Sequence, residues 1–123
     1  MFMLNTYQDL IVWQKSFRVA RVVFERTVQF PKSELYGLVS QMRRAAVSIP
    51  SNIAEGYSRG HRQEYIQFLR TALGSATELE TQLLLAKELS FLEQNDFNDL
   101  NNLLQEVLRM LKKLIKTLKP SYP

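Results

Sequence analysis

His61, the pair Glu78 and Glu80, and the stretch "EGYSRG" from Glu55 to Gly60 are the residues whose types invite a search for catalysis. His61 is the sole histidine and sits at an expected turn beside Gly60 and Arg62. A catalytic base needs positioned partners; the sequence around His61 supplies none, so it reads as a helix-start residue. Glu78 and Glu80 stand two residues apart, a spacing that does not bring side chains together on a helix. They are expected to meet bases on adjacent helices, or water. "EGYSRG" has two glycines but no Gly-Lys-Ser/Thr and no preceding strand, so it is not a phosphate-binding loop. The chain has no cysteine, which excludes thiolate chemistry, disulfides and sulfur-ligated zinc. One histidine does not support a transition-metal site, and the Glu-x-x-His motif of di-iron bundles is missing. No catalytic residue, metal ligand or cofactor is assigned, and the chain is not read as an enzyme.

The basic residues carry a stronger signal. Arg43 and Arg44 lie in the middle of the chain, and Arg59 and Arg62 flank the turn that follows. Arg109, Lys112, Lys113, Lys116 and Lys119 fall on one side of the last expected helix, within about 120° of arc. Such a row can follow a phosphate backbone, although cations near a helix C-terminus are also favourable there. Formal charge is segregated. Residues 1–62 hold nine Lys/Arg and four Asp/Glu, residues 63–106 hold two and eight, and residues 107–123 hold five and none. Segregation of this kind points to an electrostatic partner or to complementary subunits. Most aromatics belong to arcs read as core, so no base-stacking platform is expected.

The elements that must position these residues are helices. Leu10, Trp13, Phe17, Ala20, Phe24 and Val28 fall in one arc at helical spacing. Asn5 or Thr6 can cap this helix, and "FPKS" closes it at Pro31. Val12, Val19 and Val23 line up on its other side, and a helix apolar on two sides is buried on two sides. That second stripe is read as a subunit contact. Leu35, Leu38, Val39, Met42, Ala46, Ile49, Ile53 and Tyr57 keep a single phase across Pro50. One helix, about 33–57, is therefore expected, bent where the proline ring crowds the carbonyl of Ala46. Gly56 and Gly60 are candidate stops. Arg44, Ser48, Ser51 and Glu55 share the polar side, as a solvated face or as a subunit contact of small residues with an Arg–Glu pair.

A third helix, about 61–90, carries Tyr65, Phe68, Leu69, Ala72, Ala76, Leu79 and Leu83 on one face, with Ile66, Leu73 and Leu84 as a side stripe. A fourth, about 93–118, carries Phe97, Leu100, Leu104, Val107, Leu111, Leu114 and Leu118 at heptad spacing. Leu103, Leu108, Met110 and Ile115 widen it beyond a two-helix seam. The first helix is expected over about 7–29, and the tail from 119 to 123 is expected to be loose. Short connections make sequential neighbours antiparallel, which predicts an all-α, up-down-up-down four-helix bundle in one domain. The candidate oligomer contacts are Val12, Val19, Val23, Ser48, Ser51, Glu55, Ile66, Leu73 and Leu84. The start "MFMLNTYQDL" lacks a basic stretch followed by an apolar run, and no apolar run approaches the roughly 18 residues of a membrane span. The absence of cysteine fits a reducing cytoplasm.

"DLIVWQKSF", "FPKSELYGLVSQMRRAAVSIPSNIAEGYSRG" and "EYIQFLRTALGSATELETQLLLAKELSFL" together resemble the four-helix-bundle family encoded in intervening sequences of bacterial large-subunit ribosomal RNA genes. The resemblance runs from about Asp9 to Leu118, and "SQMRRAAVSIPSNIAEG" is its most specific part. It implies a cytoplasmic, non-enzymatic bundle that assembles with itself into a pentameric ring. The family is similar in fold to the accessory protein of diversity-generating retroelements. That likeness implies RNA or DNA, and a reverse transcriptase, as partners. The family's basic pair matches Arg43 and Arg44, and its basic residue after the helix matches Arg59. Where some members have a glycine before the last helix this chain has Ser90, which should alter only the turn.

Overall fold

The structure, a computed structural model, describes residues 6–120. A 3-10 turn, Tyr7–Asp9, leads into four helices: α1 Ile11–Thr27, α2 Leu38–Ser58, α3 Arg62–Glu88 and α4 Gln94–Leu118. A second 3-10 turn, Lys32–Glu34, lies between α1 and α2. Among the described residues there is no strand, and no helix is long and apolar enough to cross a membrane. Asn5 and the tail residues 121–123 lie outside the described residues.

Each helix packs on its neighbours in the chain, and α1 also packs on α4. No such packing joins α1 to α3 or α2 to α4, so the four helices occupy the corners of a square in chain order. Contacts between neighbours pair rising numbers on one helix with falling numbers on the next. Ser48 bonds Ser75 and Tyr57 meets Tyr65 between α2 and α3. Lys15 pairs with Glu106 and Arg26 with Asp96 between α1 and α4.

The helix ends follow from local chemistry. Thr6 caps the first turn: its hydroxyl accepts from the Gln8 N–H at 3.1 Å, and Asp9 Oδ2 accepts from the Thr6 N–H at 3.2 Å. This reciprocal box satisfies two orphan donors. Residues 33–37, expected to be helical, instead form the end of the 3-10 turn and a hydrogen-bonded turn, and α2 begins only after Gly37. The helix then continues unbroken through Pro50 to Ser58. Two residues beyond the proline, the Asn52 amide donates to the Ser48 carbonyl at 2.7 Å and to its hydroxyl at 2.9 Å. Gly60, at φ +78°, ends this stretch in the left-handed conformation that glycine adopts freely.

Gly56 is not a stop. It lies inside α2, buried, where an added Cβ would come within 2.5 Å of the Phe68 Cβ. Its lack of a side chain lets α2 and α3 approach at that level. The end of α3 is a Schellman motif built on Ser90: Phe91 N–H bonds the Ala86 carbonyl at 2.9 Å and Ser90 N–H bonds the Lys87 carbonyl at 3.0 Å.

The core differs from expectation chiefly at α1. Val12, Val19 and Val23 are inside the bundle, with Ser16, Ala20 and Thr27. Phe17, Phe24 and Val28, expected inside, are exposed. The helix is turned so that its small and β-branched side chains face the interior, where α1 packs against α2 and the leucines of α4. Small residues permit close helix approach at a centre those leucines already fill. On α4 the heptad pattern drifts, as a helix of 3.6 residues per turn requires. By the last turns the buried residues are Leu111 and Ile115, while Leu114 and Leu118 lie half-buried at the edge.

Candidate nucleic-acid interface

The square arrangement converts the segregated charge of the sequence into two unlike ends. One end is built from residues 6–19, 46–75 and 106–120, where α1 and α3 begin and α2 and α4 finish. It carries ten Lys/Arg and four Asp/Glu, a formal +6. The other end carries six and eight, a formal −2.

On the basic end, α3 and α4 present one surface. Arg109, Lys112, Lys113 and Lys116 are exposed on the last turns of α4, where the i, i+3, i+4 and i+7 spacing keeps them on one side. Lys119, at the C-cap, lines a groove together with Arg70, Gln63, Gln67 and the acid Glu64 of α3. Arg62 is exposed at the start of α3. None of these seven bases forms an ion pair with a described residue, whereas Lys15, Arg21, Arg26 and Arg59 each do. Free cations on a convex helical surface are suited to phosphates, which need charge and reach rather than a closed pocket. Arg70 was hidden from sequence reading because it sits in the acidic middle segment. The signal that finds it is its distance in space from those acids: residues 76–99, which hold six of them, lie at the far end.

The other expected contacts do not join this surface. Arg43 is spent within the fold: its Nε donates to the Thr27 hydroxyl at 3.0 Å, and its guanidinium lies 4.8 Å from the centre of the Phe24 ring. The Thr27 hydroxyl in turn donates to the Val23 carbonyl at 2.7 Å. Arg43 therefore ties α2 to α1. Arg44 is exposed on α2, which does not touch α4. Arg59 pairs with Glu55 at 3.0 Å and covers the Phe68 ring at 5.2 Å. His61 is the exposed N-cap residue of α3. Glu80 accepts from Gln105 and Glu78 from Gln82, so both carboxylates meet amides rather than bases.

The expected subunit contacts divide. Val12, Val19 and Val23 are core residues of the chain itself and cannot reach a partner. Ile66 is likewise buried, Leu73 is packed against the core, and the Ser48 hydroxyl faces Ser75 across the α2–α3 seam at 2.8 Å. Ser51, Glu55 and Leu84 remain exposed. The outward apolar stripe of α1 is instead Phe17, Phe24 and Val28. It includes aromatic rings at the surface where none were expected: Trp13 stacks on Phe17 with ring centres 5.0 Å apart.

Residues 8–113 match the family described as 23S rRNA-intervening sequence protein. A solved structure of a protein with unknown function from the S23 ribosomal protein family of Bacteroides thetaiotaomicron is similar, with a TM-score of 0.78 and 27% sequence identity. The similarity covers 86% of this chain and 96% of that one. No curated protein matches the chain.

Proposed function

The chain belongs to the 23S rRNA-intervening sequence protein family, and we propose that it acts in the cytoplasm as a non-enzymatic, homo-oligomeric accessory protein that binds structured RNA or DNA through the basic end of its bundle. The observation that carries this reading is the set of unpaired bases on α3 and α4: Arg62, Arg70, Arg109, Lys112, Lys113, Lys116 and Lys119. Each acts as a phosphate contact, so binding is salt-sensitive and weakly sequence-specific. Arg59 lies at the margin of this surface, already paired with Glu55.

The test is fluorescence anisotropy of a labelled structured RNA and a labelled DNA duplex at about 50 and 200 mM salt, a range over which phosphate-dominated affinity collapses. Replacing Lys112, Lys113 and Lys116 together by Ala is expected to weaken binding and to lower the log–log salt slope on duplex DNA by about 0.9 for each phosphate no longer neutralised. Arg43→Ala is expected to leave that slope unchanged while lowering stability, because Arg43 serves the α1–α2 junction. Unchanged binding by a folded triple variant removes α4 from the site.

A second reading, a protein-interaction scaffold without a nucleic-acid ligand, is favoured by the exposed Phe17, Phe24, Val28 and Val47. Absence of binding to both probes at the lower salt concentration selects it.

A further inference from the structure

We propose that the aromatic face formed by α1 and α2 packs against the leucine-bearing, acidic outer face of α3 in a second copy of this chain. The proposal rests on the homo-oligomer part of the reading above and assigns the faces that meet.

The first face is a line along α1. Phe17, Phe24 and Val28 are 52%, 42% and 73% exposed, and Val47 of α2 beside them is 44% exposed. Between Phe17 and the α2 surface lies a groove floored by Ala20, Pro50 and Ala54, whose small and ring-closed side chains leave it shallow. Of the bases in this region Arg21 pairs with Glu25 at 3.7 Å and Arg43 is held by Thr27 and Phe24, which leaves Arg44 as the exposed base without an ion pair to a described residue. The second face is on α3, where Leu84, Leu85 and Leu89 are each about half exposed. Glu78 and Glu88 stand among them, exposed, and neither forms an ion pair with a described residue. The single base on this stretch, Lys87, is turned over the Phe97 ring at 4.7 Å. One face is thus apolar with positive charge, the other apolar with negative charge. Such complementarity selects the partner and orients it.

The placement of the two faces decides the kind of assembly. α1 and α3 stand at opposite corners of the square, so the faces point away from each other. A contact joining two different faces of identical chains is heterologous and generates rings or filaments. The two faces overlap only in part along the bundle. Phe24 meets Arg43 of α2, and the α2–α3 contacts that pair Ser48 with Ser75 carry that level to α3 at about the position of Glu80. Phe17, beside Pro50, lies nearer the basic end, and the leucines lie nearer the other end. Copies that pair these faces therefore meet with their axes offset or tilted.

Two double variants, both at exposed positions, test the pairing by light scattering, with circular dichroism to confirm helicity. Phe17→Glu with Phe24→Glu spoils the aromatic face, and Leu85→Lys with Leu89→Lys spoils the leucine face. The expected result is an oligomeric wild type and two variants that each scatter as one 14.4 kDa chain. Mixed in equal amounts, the variants are expected to give a species of twice that mass, because one intact interface survives between them. A leucine-face variant that assembles like the wild type overturns the pairing, as does a mixture that stays monomeric. A monomeric wild type overturns the homo-oligomer reading itself, leaving the nucleic-acid reading to its own test.

Discussion

At the scale of single residues, two positions carry a measurable cost. Ser90 adopts φ 60° to close the Schellman motif after α3. An L-residue in this conformation costs roughly 1–2 kcal/mol, a penalty that glycine avoids. Ser90→Gly is expected to raise unfolding free energy by about 1 kcal/mol, read from the denaturant midpoint. Tyr65 is the second. Its hydroxyl is buried without a hydrogen-bond partner among the described residues. Burial, and then the neighbouring Tyr57, pushes its pKa up to about 12. Between about pH 10 and 12 the folded chain therefore holds this proton while the unfolded chain, with a tyrosine near 10, has released it. Stability from this group is complete below about pH 10 and is lost as pH rises toward about 12. Tyr65→Phe removes both the unpaired hydroxyl and the titration. It is expected to be neutral or stabilising by about 1 kcal/mol at neutral pH, and to flatten the alkaline fall in stability.

At the scale of elements, α2 joins the two halves of the functional argument. Its single apolar phase was legible in the sequence, and the helix does run through Pro50. A proline in a helix interior removes a backbone bond and crowds the carbonyl four residues earlier, so we expect a bend there. Pro50 is also buried and lines the α1–α2 groove. In Pro50→Ala, the gain in helix propensity, up to about 3 kcal/mol, is offset by poorer packing. The expected outcome is a straighter α2, little change in melting temperature and an altered oligomer distribution by light scattering. An identical oligomer with an unchanged bend would show that the proline is merely tolerated.

At the scale of the whole molecule, the bundle gathers two sequence-distant basic segments at one end, with the acids of residues 76–99 at the other. The free bases at that end carry the nucleic-acid reading, and the opposed apolar faces carry the self-assembly. The two surfaces occupy different levels of α3: Arg62 and Arg70 near its start, Leu84 to Leu89 near its finish. The Lys112, Lys113 and Lys116 triple variant is therefore expected to lose binding while keeping its oligomeric mass. The leucine-face variant is expected to lose mass while keeping a per-chain salt response.

The sequence by itself determined what periodicity encodes: four helical elements, the continuity of α2 across Pro50, the inner faces of α2, α3 and most of α4, and the row of bases on α4. Each of those helices has one dominant apolar arc, and a single arc leaves one way to face a core. α1 has two arcs, and composition does not choose between them. The choice fell to the space left by the other three helices, which admitted Val12, Val19 and Val23 and left Phe17 and Phe24 outside. Tertiary structure likewise decided which charges meet. Arg43 was drawn into the α1–α2 junction by Thr27 and Phe24, and Arg70 was carried to the basic end. Partners in space depend on how neighbouring helices pair along their lengths, and no short stretch of sequence contains that information.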